Sequence, residues 1–256
     1  MTASRAKPGK AAKSGPKPGG EPAGGAGGES GGAARSIGTE HESSLHRALK
    51  YRYAVPGTAE TARAGFVCDA IGPGGEAVEI QTGNFASLKT KIPALTRAGP
   101  VRLIYPVIVR KTLELYDAGG TLLSRKKSPR RGSPWDIFRE LIYAPALLER
   151  RALTVEIALV DAVERRRDDG KGSWRRKGVS IEDRILEAWR GRIVLKNKAD
   201  WKRFVPLPGD FTVKTLAAAV HIRPVLARKT LYVLEKAALV HKIRKEGRSW
   251  VYRAEG

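Results

Sequence analysis

A single cysteine, Cys68, is the whole of the thiol chemistry in 256 residues. It can close no intramolecular disulfide and build no cysteine-rich zinc site, so the sequence points to a reducing compartment. Long apolar runs are missing as well. The longest, over residues 101–109, is broken by Arg102 and is far shorter than the roughly 20 residues of a membrane helix. The N-terminal stretch is basic without an apolar segment and does not read as a signal peptide. Negative charge is scarce too: 26 Asp plus Glu stand against 48 Lys plus Arg, a formal net charge of +22. An excess that clusters along the chain expects an anionic partner, because cations that neutralise phosphates gain affinity by releasing counterions. Nucleic acid, duplex DNA first, is the expected partner. No membrane partner is expected, and the expected location is the cytoplasm, on the nucleoid in a prokaryote.

Composition divides the chain. Residues 1–36 are almost entirely Gly, Ala, Pro, Ser and Lys, which cannot bury enough apolar surface to offset ordering entropy, and they read as a disordered basic tail. The stretches RKKSPRRG (125–132) and RRRDDGKGSWRRK (165–177) offer little to a core. The second marks a boundary, giving one domain over 37–165, a basic linker over 166–179 and another domain over 180–256. In the first domain, Leu45, Leu49 and Tyr53 recur at helical spacing over 39–53. An extended segment over 66–71, the turn Gly72-Pro73-Gly74-Gly75 and a strand over 77–81 read as a β-hairpin. Asn84 caps a helix with Phe85, Leu88, Ile92 and Leu95 on one stripe, which Pro93 should kink or split. Residues 101–109 read as a strand buried on both faces. A further hairpin (112–124), a helix (135–150) and a strand (153–163) are expected after it.

The turn sets the hairpin register. A three-residue loop at Pro73-Gly74-Gly75 suits a type I turn followed by a left-handed glycine. Gly72 then faces Glu76, and counting back by twos puts Asp69 opposite Glu79, with Gln81 on the face of Glu79. Opposed carboxylates inside apolar strands ask for a compensating cation, and a hard divalent metal with oxygen ligands would supply it.

This pattern resembles the PD-(D/E)xK nuclease superfamily, where an Asp near the end of one strand and a D/E-x-K on the next, after a helix bearing a Glu, bind the metal. The resemblance covers about residues 39–109. It implies a restriction-endonuclease-like mixed-sheet α/β core with Asp69 and Glu79 as ligands of Mg²⁺ and the Ile80 carbonyl as a third. Of the two glutamates ahead of the helix stripe, Glu40 and Glu42, the second shares the inward stripe of Leu45 and Leu49 and is the better match. The usual lysine position holds Gln81. An amide hydrogen-bonds but carries no charge, so Lys89 or Lys91 on the following helix is the substitute cation that divergent members of the superfamily suggest. Plainer explanations compete residue by residue. Thr39-x-x-Glu42 is also a capping box, Asp69 could be a turn-proximal residue, and Glu79 could pair with Lys89 on a solvent-facing strand.

Near the C-terminus, Ser180 caps a helix carrying Ile181, Ile185 and Trp189, and Thr212 caps a second through Leu216 and Val220. Pro224 opens a third, whose core stripe is Ala227, Leu231, Leu234 and Ala238. Strands over 240–245 and 249–253 flank a Glu246-Gly247-Arg248 turn. The order resembles winged helix-turn-helix domains over about residues 180–254, and implies a helix for the major groove and a wing for phosphates or the minor groove. The candidate DNA contacts collect there: Arg223, Arg228, Lys229, Tyr232 and Lys236 on or before the third helix, Lys242, Arg244, Lys245 and Arg248 on the wing. Arg175, Arg176 and Lys177 join them around Trp174, which either stacks on nucleic acid or packs the hinge. Two readings go forward: a DNA-binding protein whose nuclease-like domain hydrolyses phosphodiesters with Mg²⁺, or a non-catalytic DNA-binding regulator that keeps the fold without the chemistry. A homodimer is compatible with either.

Overall fold

The computed structural model describes residues 42–255; the tail read over 1–36, Thr39 and Glu40 lie outside the described residues. Helix α1 (Ser44–Tyr53) begins at Ser43, whose side chain accepts the His46 N–H, and buries Leu45, Leu49 and Tyr53. The short strands β1 (Thr61–Arg63) and β2 (Phe66–Cys68) pair antiparallel, as do β3 (Ala70–Ile71) and β4 (Ala77–Ile80). Ala70 stands opposite Val78, Ile71 opposite Ala77, and the Gly72 N–H donates to the Glu76 carbonyl at 2.9 Å. Continued one residue past β3, that register sets Asp69 against Glu79, although Asp69 itself lies outside the ladder and its carbonyl accepts from the Glu60 N–H. After a 3-10 turn at Phe85–Ser87, α2 (Leu88–Ala98) runs through Pro93 as one helix with Leu88, Ile92 and Leu95 buried. Asn84 adopts the left-handed conformation and makes no side-chain cap.

Strand β5 (Val101–Tyr116) lies parallel to β4 and, along its other edge, parallel to β7 (Leu153–Asp168). Strand β6 (Leu122–Lys127) returns antiparallel along residues 112–116 of β5. One edge of β5 is therefore shared by β4 and β6, and the stretch 105–111 between them pairs with neither. The expected helix over 135–150 breaks into α3 (Phe138–Leu141) between 3-10 turns at Pro134–Ile137 and Pro145–Glu149. Pro145 is the reason: it lacks an N–H, and it drives Ala144 out of the helical region.

Strand β8 (Val179–Leu195) pairs antiparallel with β7 from end to end, which corrects two expectations. Residues 166–179 are not a linker, and the segment after Ser180 is not a helix; both belong to the β7–β8 hairpin. The four-residue spacing of Ile181, Ile185 and Trp189 imitates a helix, but the β-branched content and cross-strand partners decide otherwise. Arg184 lies opposite Glu164 and Asp183 opposite Arg165, opposite charges that favour pairing. The result is a mixed α/β protein whose main sheet runs β3-β4-β5-β7-β8, with β6 added to β5. Helix α1 covers one face over Val78, Ile104 and Val160.

On the other face, one continuous core runs from α2 and α3 into the C-terminal region. That region contains a 3-10 turn (Lys198–Phe204), β9 (Asp210–Thr212), α4 (Val213–Ala219), α5 (Pro224–Lys236), β10 (Val240–Glu246) and β11 (Ser249–Ala254). Its strands are ordered β10-β11-β9. Thr212 caps α4 by accepting the Thr215 N–H, and Pro224 is the first residue of α5. Leu226, Ala227, Leu231 and Leu234 are buried, whereas Ala238 falls beyond the helix and is exposed. In place of a further helix before α4, α5 packs against α3 and the 3-10 turns around it. Phe138 meets Phe204 with ring centroids 4.9 Å apart and Trp201 at 6.0 Å, and the Trp135 indole N–H donates to the Phe204 carbonyl at 3.1 Å. No helix among the described residues is long and apolar enough to cross a membrane.

Candidate functional site

Asp69 and Glu79 meet at the corner between α1, β4 and α2. The Ile80 N–H donates to Asp69 Oδ2 at 2.6 Å. Glu79 is 2% exposed; its Oε2 accepts from Lys91 Nζ at 2.7 Å, and its Oε1 is buried with no hydrogen-bond partner. The cation beside the carboxylates thus comes from the first turn of α2. Lys89, the neighbour named with it, is exposed, and Gln81 turns its amide toward the Gly83 and Asn84 carbonyls.

His46 is the residue the sequence reading missed. Its Nδ1 faces the Glu42 carboxylate, and its Nε2 lies 3.0 Å from the Ile80 carbonyl oxygen and 3.5 Å from Asp69 Oδ2. Carbonyl and carboxylate oxygens only accept, so both ring nitrogens donate and the ring is an imidazolium. Burial opposes that charge, but Asp69 and Glu42 outweigh it and push the His46 pKa up to about 9. At Asp69 burial favours the neutral form, and the His46 and Ile80 donors more than offset it, holding the carboxyl below its ordinary value. Glu79 moves the other way: burial, with the Asp69 charge adding to it and Lys91 opposing, pushes it up to about 7. Glu42 also accepts from Lys50 at 3.1 Å and is linked to Asp69 through His46. The missed signal was the four-residue spacing of Glu42, His46 and Lys50; Glu42 precedes the Ser43 cap and lies outside α1, not on its inward stripe as expected, and pairs with both basic residues from there.

Among the described residues, no three His, Cys, Asp or Glu side chains converge as a metal cluster. Two carboxylates and a carbonyl nevertheless form a hard-oxygen set suited to Mg²⁺, which takes one or two carboxylates and completes its octahedron with water and substrate oxygens. The unpartnered Glu79 Oε1 is the atom such an ion would satisfy.

The second candidate surface lies on α5 and the β10–β11 hairpin. Lys242 is tied to Glu235 at 2.9 Å, and Arg244 to Glu246 at 2.8 Å and to Asp210. Arg223, Arg228, Lys229, Lys236, Lys245 and Arg248 have no acidic partner among the described residues. Tyr232 is exposed on the same helix, with Lys236 over its ring. On the hairpin, Trp250 is flanked by Lys245 at 4.9 Å and Lys242 at 5.4 Å. Arg175, Arg176 and Lys177 sit elsewhere, at the tip of the β7–β8 hairpin, where Trp174 is 83% exposed and packs no hinge.

No solved structure matches this chain. An uncharacterized protein of Treponema pallidum (strain Nichols) is 30% identical over 226 residues, spanning 86% of this chain and 88% of its own length. The family profile described as Domain of unknown function (DUF8091) matches residues 43–196, from the cap of α1 to the end of β8, and the chain belongs to that family.

Proposed function

We propose that this is a DNA-binding protein whose sheet domain is a Mg²⁺-dependent phosphodiester hydrolase of the PD-(D/E)xK type. The observation that carries the reading is the Lys91 ammonium 2.7 Å from Glu79, on the strand position facing Asp69. A charge that the E-x-Q pattern omits is restored from the next helix. The element order supports it: helix α1, the short strands β1 to β4, helix α2, then β5 parallel to β4. At the other end, α4, α5 and the β10–β11 hairpin over β9 support a winged-helix reader.

Held by Asp69, Glu79 and the Ile80 carbonyl, Mg²⁺ would polarise the phosphate and lower the pKa of a water. The chain's own residues then have separate tasks. Lys91 gives one N–H to Glu79 and keeps two for a phosphate oxygen or the attacking water. His46 is a positioning residue that fixes Asp69 and the Ile80 carbonyl.

The test is incubation of the purified protein with plasmid and oligonucleotide substrates in Mg²⁺, Mn²⁺ or chelator. Metal-dependent nicking that disappears in Lys91→Ala is expected; a wild type silent in both metals overturns the hydrolase. The non-catalytic DNA-binding regulator is then the better reading, and His46 favours it, because its imidazolium already satisfies the oxygens a metal would use.

A further inference from the structure

The stretch of β5 left open between β4 and β6 forms the floor of a cleft of about 280 Å³. Ser43 and Thr82 are among its lining residues; Ser43 follows Glu42, whose carboxylate is linked to Asp69 through His46, and this places the cleft on the side of the chain that leads to the Asp69–Glu79 corner. The opposite wall is the segment after β6, laid against β5 by the Ser128 N–H donating to the Lys111 carbonyl at 2.7 Å and the Gly132 N–H to the Ile108 carbonyl at 2.9 Å. A Cβ at Gly132 would strike the Ile108 carbonyl oxygen, so only glycine permits this approach.

Four cations line the cleft against two carboxylates. Glu164, 1% exposed, accepts from Lys111 at 2.9 Å and Arg184 at 3.2 Å, and Asp136 accepts from Arg139 at 2.7 Å. These acids act as struts that hold three cations in place. The fourth, Arg130, is exposed and has no acidic partner among the described residues. A pocket this small falls under the about 300 Å³ where drug-sized sites begin, which suits a single backbone unit and not a base-paired segment.

We propose that this cleft binds one phosphodiester of a nucleic-acid strand, with Arg130 as its direct ligand, and leads that strand into the Asp69–Glu79 corner. A guanidinium matches a phosphate with two parallel N–H donors, and the net positive lining favours an anion at that point. The inference rests on the hydrolase reading above, since it assigns that site its substrate path.

The experiment measures anisotropy of a labelled single-stranded pentanucleotide with the full chain in chelator, beside a duplex. Arg130→Ala should weaken pentanucleotide binding by about tenfold and Arg130→Lys by less, because an ammonium loses the paired geometry. Lys245→Ala should weaken the duplex and leave the pentanucleotide unchanged. Unaltered pentanucleotide affinity in Arg130→Ala overturns the proposal, as does loss of that binding in Lys245→Ala alone. Inorganic phosphate that displaces the pentanucleotide at equal concentration would make the cleft a free-phosphate site and overturn the backbone assignment. A wild type that binds duplex but no pentanucleotide sinks the cleft and leaves DNA binding standing, whereas failure of both sinks both.

Discussion

At the α1–β4–α2 corner every charge has a counterpart: Glu42 with Lys50 and His46, His46 with Asp69, Lys91 with Glu79. On α5 and the β10–β11 hairpin, Arg228, Lys245 and Arg248 are exposed and Lys229 is half-buried, with no acid beside them among the described residues. The contrast follows from solvation. Charges removed from water must be matched as the chain folds, so their geometry is fixed before any ligand arrives. Exposed cations need no partner until they meet phosphate, and the counterions they then release supply the affinity. The corner should therefore respond to isosteric changes and ignore salt, and the surface of α5 and the hairpin should do the reverse.

The sharpest separation comes from Asp69→Asn. Metal-dependent cleavage should fall by about a thousandfold, while duplex affinity, measured by anisotropy, stays within about twofold. The same change should lower the thermal midpoint, because the His46 imidazolium loses its carboxylate; a vestigial, mutually repelling pair would gain stability instead. Next in size is the surface of α5 and the hairpin. Reversing Arg228, Lys229 and Lys245 to Glu should weaken duplex binding by about a hundredfold or more, and removing the three contacts should cut the slope of log K against log salt by about 2.7. An unchanged slope breaks the comparison from that side.

Two stability effects follow. Glu164→Gln strands Lys111, Arg166 and Arg184 around a neutral group and should cost about 3 kcal/mol in urea denaturation at pH 7. Burial opposes ionisation at Glu164, but those cations hold its pKa down to about 2 against 4.5 in the unfolded chain. Its contribution is present above pH 4.5 and is lost as the pH falls through 2, so the variant's deficit should vanish in strong acid. Glu79 has the opposite sign. With a folded pKa of about 7 against 4.5, it stabilises most below pH 4.5 and loses that contribution as the pH rises through 7. Glu79→Gln should flatten the stability profile across that window. The smallest expected effect is at Trp174, where replacement by Ala should leave stability within about 0.5 kcal/mol and weaken duplex binding by a few-fold.

Local features were the ones the sequence carried well. The Gly-Pro-Gly-Gly turn dictated the register that faces Asp69 with Glu79, and Thr212 and Pro224 marked the starts of α4 and α5. The failures were at longer range. Ile181, Ile185 and Trp189 fit a helical period as well as a strand until β7 supplies their partners. Lys91 reaches Glu79 from 12 residues away in the chain and His46 reaches Asp69 from 23, a proximity that periodicity cannot state. Of the two lysines the sequence put Lys89 forward as the catalytic cation, but the rotation of α2 leaves Lys89 exposed and brings Lys91 to Glu79.

Because α5 packs against α3 and the 3-10 turns around it, neither half of the described chain has a finished interior. A cut between β8 and the 3-10 turn at Lys198–Phe204 would bare Phe138 on one fragment and Trp201, Phe204 and the inner face of α5 on the other. Heat should melt the described chain in one calorimetric transition, since there is no smaller unit to melt. The family match ends at residue 196, but the cooperative unit does not, so a relative that lacks residues 197–256 must seal α3 with some other apolar surface.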